Sequence, residues 1–117
     1  MNAQTAAANV PAEMRLEDMQ AHADEAARLL KALANENRLI ILCVLAEGEA
    51  SVSQLNERIK LSQSALSQHL ALLRRDGLVK TRRSSQTIFY SLQQGPAMQL
   101  MELLHDIYCT VPGQTQC

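Results

Sequence analysis

A mainly helical fold with one small β-hairpin is predicted by three features of this sequence. Apolar residues recur at helical spacing over most of the chain, and two segments beyond Gly77 switch to β-branched and aromatic residues. Serine, asparagine, glycine and proline stand where such elements should start or stop. The 117 residues suit one domain, expected over 13–110, between flexible tails at 1–12 and 111–117.

The first helix, α1, is predicted from Glu13 to Ala34, a stretch without Gly or Pro in which Met19, Ala23, Ala26, Leu30 and Leu33 follow helical spacing. Asn35 is placed to cap α2, which ends near Glu47-Gly48, where glycine would supply a left-handed terminus. This helix is apolar nearly all round and should sit centrally. Ser53 is read as the cap of a short α3 containing Leu55 and Ile59, and Ser62 as the cap of α4, from Gln63 to about Asp76, stopped by Gly77. Strands follow at 78–82 and 87–92, joined by the polar link Arg83-Ser84-Ser85-Gln86. Pro96 opens α5, whose stripe of Ala97, Leu100, Met101, Leu104, Ile107 and Tyr108, widened by Met98 and Leu103, is broader than one core contact needs and predicts a subunit interface.

Several function classes are excluded. The longest apolar run, Leu39 to Ala46, has eight residues, where a membrane-spanning helix needs about 20. No basic residue precedes Arg15, so no secretory leader is read; the expectation is a cytoplasmic protein with no membrane partner. Three cysteines in such a chain do not form a stapling framework. With no Cys-x-x-Cys, no strand–helix alternation and no Ser, His and Asp set for nucleophilic attack, no enzyme and no cofactor are expected; a small thiol redox enzyme is the remote alternative.

Charge points to a different class. The net value is −1, yet seven basic residues face only Asp76 between Arg58 and Arg83, while the rest of the chain is acidic. Positive potential concentrated there can attract a polyanion. Leu66, Leu70 and Leu73 turn one face of α4 to the core and leave the opposite face to Gln63, Ser64, Ser67, Gln68 and Ala71. Such side chains suit base edges in a major groove, as Gln pairs with adenine and Ser bonds several edges. His69 borders the core face and is assigned to the interface with an alternative role as a packed histidine. Arg74, Arg75, Arg82, Arg83 and Gln86 fit phosphate or minor-groove contacts. Two short helices followed by a basic hairpin form a winged helix-turn-helix, α1-α2-α3-α4-β-hairpin-α5. Such a reader is expected to bind an imperfect palindrome of double-stranded DNA as a two-fold homodimer.

Two motifs carry a family resemblance. Leu33-Ala34-Asn35-Glu36-Asn37-Arg38-Leu39 is similar to the L-[AS]-x-x-x-R-L entry into α2 of the ArsR/SmtB repressors, and Leu61 through Val79 is similar to their longer S-x-S-x-[VL]-S-x-H-L-x-x-L-R-x-x-G-L-V. The resemblance covers about Asp24 to Cys109 and implies a repressor that dimerises through α1 and α5 and releases its operator when an inducer is sensed. Departures narrow the inducer. Where the family's arsenic and lead sensors carry E-L-C-V-C-D-L, this chain has Glu49-Ala50-Ser51-Val52-Ser53-Gln54-Leu55, with hydroxyls that bind soft metals poorly. On α5, Glu102, His105 and Asp106 do not complete a tetrahedral site within one subunit, so no metal site is assigned. Cys43 on α2 and Cys109 at the end of α5 resemble the family's dithiol branch. By that resemblance, persulfides or oxidants join the two sulfurs by a disulfide or polysulfide and alter DNA affinity. Three alternatives stay open: Cys43 as a buried apolar residue, a metal or metalloid site built from the same cysteines with His105, and, for Cys117, an incidental exposed thiol.

Overall fold

A computed structural model describes residues 15–109. Its elements are α1 (Leu16–Leu33), α2 (Glu36–Glu47), β1 (Ala50–Ser51), α3 (Val52–Arg58), α4 (Gln63–Arg75), β2 (Val79–Ser84), β3 (Thr87–Leu92) and α5 (Pro96–Cys109). The expected tails, the Glu13 start of α1 and Cys117 lie outside the described residues. The chain forms two units that divide inside α1, between Lys31 and Ala32.

In the first unit, Glu17 and Asp18 occupy the first turn of α1 and Lys31 its last, the signs that complement a helix dipole. Leu16, Met19 and Leu30 are exposed along it.

The second unit is built round α2, which packs against β3, α4 and α5. Its Ile41, Leu42 and Leu45 are buried, in keeping with the central position read from its apolar sequence. Asn35 starts the helix, its Oδ1 accepting from the Arg38 backbone N–H at 3.0 Å, and Arg38 Nε donates to the Ala32 carbonyl at 2.6 Å. The other end departs from expectation. Gly48 stops the helix with φ 157° and ψ 168°, close to fully extended, rather than in a left-handed turn. The reason is that the chain runs straight on into β1, which a left-handed reversal would turn aside.

The start of α3 also needs correction. Ser51, not Ser53, is its cap: Ser51 Oγ accepts from the Gln54 backbone N–H at 3.2 Å, and Gln54 Oε1 accepts from the Ser51 N–H at 2.9 Å, a reciprocal capping box. β1 is a further element, too short to show any periodicity. It makes the hairpin the larger part of a three-stranded antiparallel sheet ordered β1-β3-β2. Ser51 pairs with Phe89 on one side of β3, and Phe89 with Arg82 on the other. β2 runs two residues past its expected end, so the link between strands is the two-residue turn Ser85-Gln86 instead of four residues. Ser85 takes φ 58°, the sign that a two-residue hairpin turn needs at its first position.

Along α5, Ala97, Met101 and Cys109 are buried, whereas Leu103, Ile107 and Tyr108 are exposed. Of the predicted stripe, its C-terminal part is therefore an uncovered apolar face of the subunit.

Candidate nucleic-acid interface

The interface begins with how α4 is held. Asn56 Nδ2 donates to the Leu61 carbonyl at 2.8 Å, fixing the turn between α3 and α4, and Ser62 Oγ accepts from the Ala65 N–H at 3.1 Å. At the far end, the Gly77 N–H donates to the Arg74 carbonyl at 3.0 Å and the Leu78 N–H to the Leu73 carbonyl at 2.9 Å, with Gly77 at φ 77°. This doubly bonded ending requires a residue that accepts positive φ, and it aims the chain directly into β2. Leu66, Leu70 and Leu73 are 0% exposed and anchor the inner face.

Opposite that anchor, Gln63, Ser64, Ser67 and Gln68 are all exposed. The structure thus brings these four onto one open surface of small and amide side chains. His69 is half-buried, between the two roles open to it. Arg74 and Arg75 stand exposed at the end of α4, Arg75 Nε lying 3.5 Å from Oδ1 of the nearly enclosed Asp76. Arg83 and Gln86 are exposed on the wing, beside the exposed Ile88 near its tip.

Arg82 has a different setting from its neighbours. Its Nε and Nη2 donate to Oε2 and Oε1 of Glu49 at 2.8 and 2.5 Å, and its guanidinium lies over the Phe89 ring, 4.8 Å from the centroid. These bonds hold the Glu49 carboxyl below the usual carboxylate range. A similar pair lies on the other side of Gly48, where Arg58 Nη1 donates to Glu47 Oε1 at 2.8 Å and keeps that carboxyl low as well. Between these pairs is an open cleft of about 290 Å³, lined by Glu47, Glu49, Glu57 and Arg58 with Val44 and Gln54. Its carboxylates repel phosphate, so this side is unsuited to a nucleic-acid backbone. Sequence reasoning missed Glu47, Glu49 and Phe89, because pairs 11 and 33 residues apart leave no local signal. The Ser51-x-x-Gln54 box did have one.

The thiols lie on packed elements, since α2 and α5 contact one another. Cys43 is half-buried and free. Burial and, after it, the Glu47 carboxylate push its pKa above the ordinary value of 9.0. Cys109 is buried and disulfide-bonded; as Cys43 is free, the two are not joined to each other here. Among the described residues, no three His, Cys, Asp or Glu side chains cluster so as to hold a metal ion, and no helix is long and apolar enough to cross a membrane.

Comparison with known proteins bears on the same surfaces. The profile of "Bacterial regulatory protein, arsR family" matches residues 35–81, the span from the cap of α2 into β2. The transcriptional activator HlyU of Vibrio cholerae is 55% identical over 84% of this chain and 91% of its own length. Its reduced form superposes with a TM-score of 0.76 at 55% identity, covering 81% of this chain and all of that one. The biofilm growth-associated repressor of Xylella fastidiosa is 45% identical over 91% of this chain and 93% of its own. A homodimeric winged helix-turn-helix domain from Mycobacterium bovis, at 31% identity, gives a TM-score of 0.69 over 80% of this chain and 87% of that one. With a relative 55% identical over 84% of its length and the family profile matching residues 35–81, the chain belongs to the arsR family of bacterial transcriptional regulators.

Proposed function

We propose that the chain is a homodimeric, cytoplasmic repressor that reads an imperfect palindrome with α4 and leaves it when Cys43 and Cys109 become linked. The observation that carries the DNA-binding half is the pairing of a fully buried leucine face on α4 with an exposed opposite face of Gln63, Ser64, Ser67 and Gln68. Those side chains, with His69 at their edge, contact or approach bases, while Arg74, Arg75, Arg83 and Gln86 hold phosphates. The uncovered Leu103, Ile107 and Tyr108 on α5 support a two-fold partner, as does the homodimeric relative.

For the sensing half, support comes from the packing of α2 on α5 and from a relative, HlyU, distinguished by its reduced form. Joining two thiols removes two protons and two electrons. A peroxide accepts them and becomes water. A persulfide instead transfers its sulfane sulfur to one thiol and departs as the corresponding thiol, or as hydrogen sulfide when it is hydrogen persulfide. Attack of the second thiolate on the inner sulfur closes a disulfide and expels hydrogen sulfide; when both cysteines have first been persulfidated, the same attack closes a trisulfide, again expelling hydrogen sulfide.

Mobility-shift assays test both halves. Cys43→Ser and Cys109→Ser should bind DNA as the parent does yet stay bound when persulfide is added. Normal release by both variants would remove the cysteines from sensing, and failure of the reduced parent to shift any promoter fragment at low salt would remove the DNA-binding reading. Because one relative is named an activator, a promoter–reporter assay gives the sign of regulation.

A further inference from the structure

The cationic wing residue most occupied by its own protein is Arg82. On the antiparallel sheet, residues directly opposite share a face, so Ser51, Phe89 and Arg82 form one row across β1, β3 and β2. Glu49 lies two residues before Ser51, which the period of two puts on the same side. Arg82 therefore runs back over the Phe89 ring and ends, two-pronged, on the carboxylate that follows the last residue of α2 and its Gly48 cap. This one side chain ties the outer strand of the wing, across the middle strand, to the segment joining α2 and α3.

We propose that Arg82 is a positioning residue: with Glu49 and Phe89 it fixes the angle at which the wing leaves the reading unit, and it neutralises no DNA phosphate. The proposal rests on the DNA-binding reading above. Moving the guanidinium to a phosphate exchanges one charge-assisted pair for another and leaves Glu49 unpaired near a polyanion, so the transfer brings no net gain. The planar fork is what the site uses, matching a ring on its face and a carboxylate on its edge, and lysine offers neither fit. Arg83, the next residue, and Lys80 are exposed and free of ion pairs among the described residues, so they remain to meet the backbone.

The test measures affinity against salt concentration for a short duplex selected from random-sequence DNA by the full-length wild-type protein. Arg82→Gln and Glu49→Gln should each weaken binding about three- to fivefold, with the double variant no weaker than either. The slope of log affinity on log salt should stay as in wild type, since no phosphate contact is lost. Arg82→Lys should fail to restore affinity, whereas the exchanged pair Glu49→Arg with Arg82→Glu should recover part of it. Thermal melts of the variants separate loss of folding from loss of placement. The proposal is overturned if Arg82→Gln lowers the slope by about 2, one contact per subunit, if Arg82→Lys binds as wild type, or if Glu49→Gln strengthens binding. Any of these makes Arg82 a phosphate contact that Glu49 restrains. Failure of the wild type to select any duplex sinks the underlying DNA-binding reading, a result the variants cannot mimic.

Discussion

Cys43 illustrates how much one residue's behaviour depends on neighbours that sequence alone ranks poorly. Burial on an apolar helix raises its pKa, and Glu47, one turn later, adds to the rise. Only a small fraction is thiolate at neutral pH, which slows attack on any electrophilic sulfur. Replacing Glu47 by Gln should lower the Cys43 pKa and speed its alkylation at pH 8 about two- to threefold, read by mass spectrometry of iodoacetamide-treated protein. Linkage has a definite sign here. The folded state holds the Cys43 proton more tightly than the unfolded chain, so this thiol favours folding below its ordinary value of 9.0, and the contribution is lost as pH rises through the higher folded value.

Elements were legible where a cap and a period agreed. Asn35, Ser62, Gly77 and Pro96 each stand at a boundary that the structure reproduces, because each acts locally: the Asn35 and Ser62 side chains accept from the first turn, Gly77 tolerates the positive φ of the ending, and Pro96 lacks the N–H that a first helical residue would leave unpaired. The start of α3 shows the limit: two serines, 51 and 53, stand two residues apart, and only Gln54, closing the box from inside the helix, distinguishes them. Ser51→Ala should therefore cost about 1 kcal/mol in urea unfolding, while Ser53→Ala should change stability little. β1 was not legible, since two residues carry no pattern and its strand character comes wholly from pairing with β3. Its loss would leave the wing a two-stranded ribbon, marginal by itself in water.

For the molecule as a whole, the buried leucine seam of α4, its exposed polar face and the local run of cations were legible, because each is periodic or local. The ties among distant charges were not. Sequence counts seven basic residues between Arg58 and Arg83, and folding commits Arg58 and Arg82 to carboxylates at either side of Gly48. That commitment caps the number of counterions the operator can shed. Lys60, Arg74, Lys80 and Arg83 remain, and Arg75, held by Asp76 only at 3.5 Å, is counted with them as ten cations in a dimer, so a plot of log affinity against log salt for the selected duplex should be no steeper than about −9. A steeper line would mean that the internal pairs open on the nucleic acid. A shallower one means that the complex persists over a wider range of ionic strength than a bare count of arginines and lysines implies, so that dilution or concentration of the surrounding electrolyte moves its occupancy little.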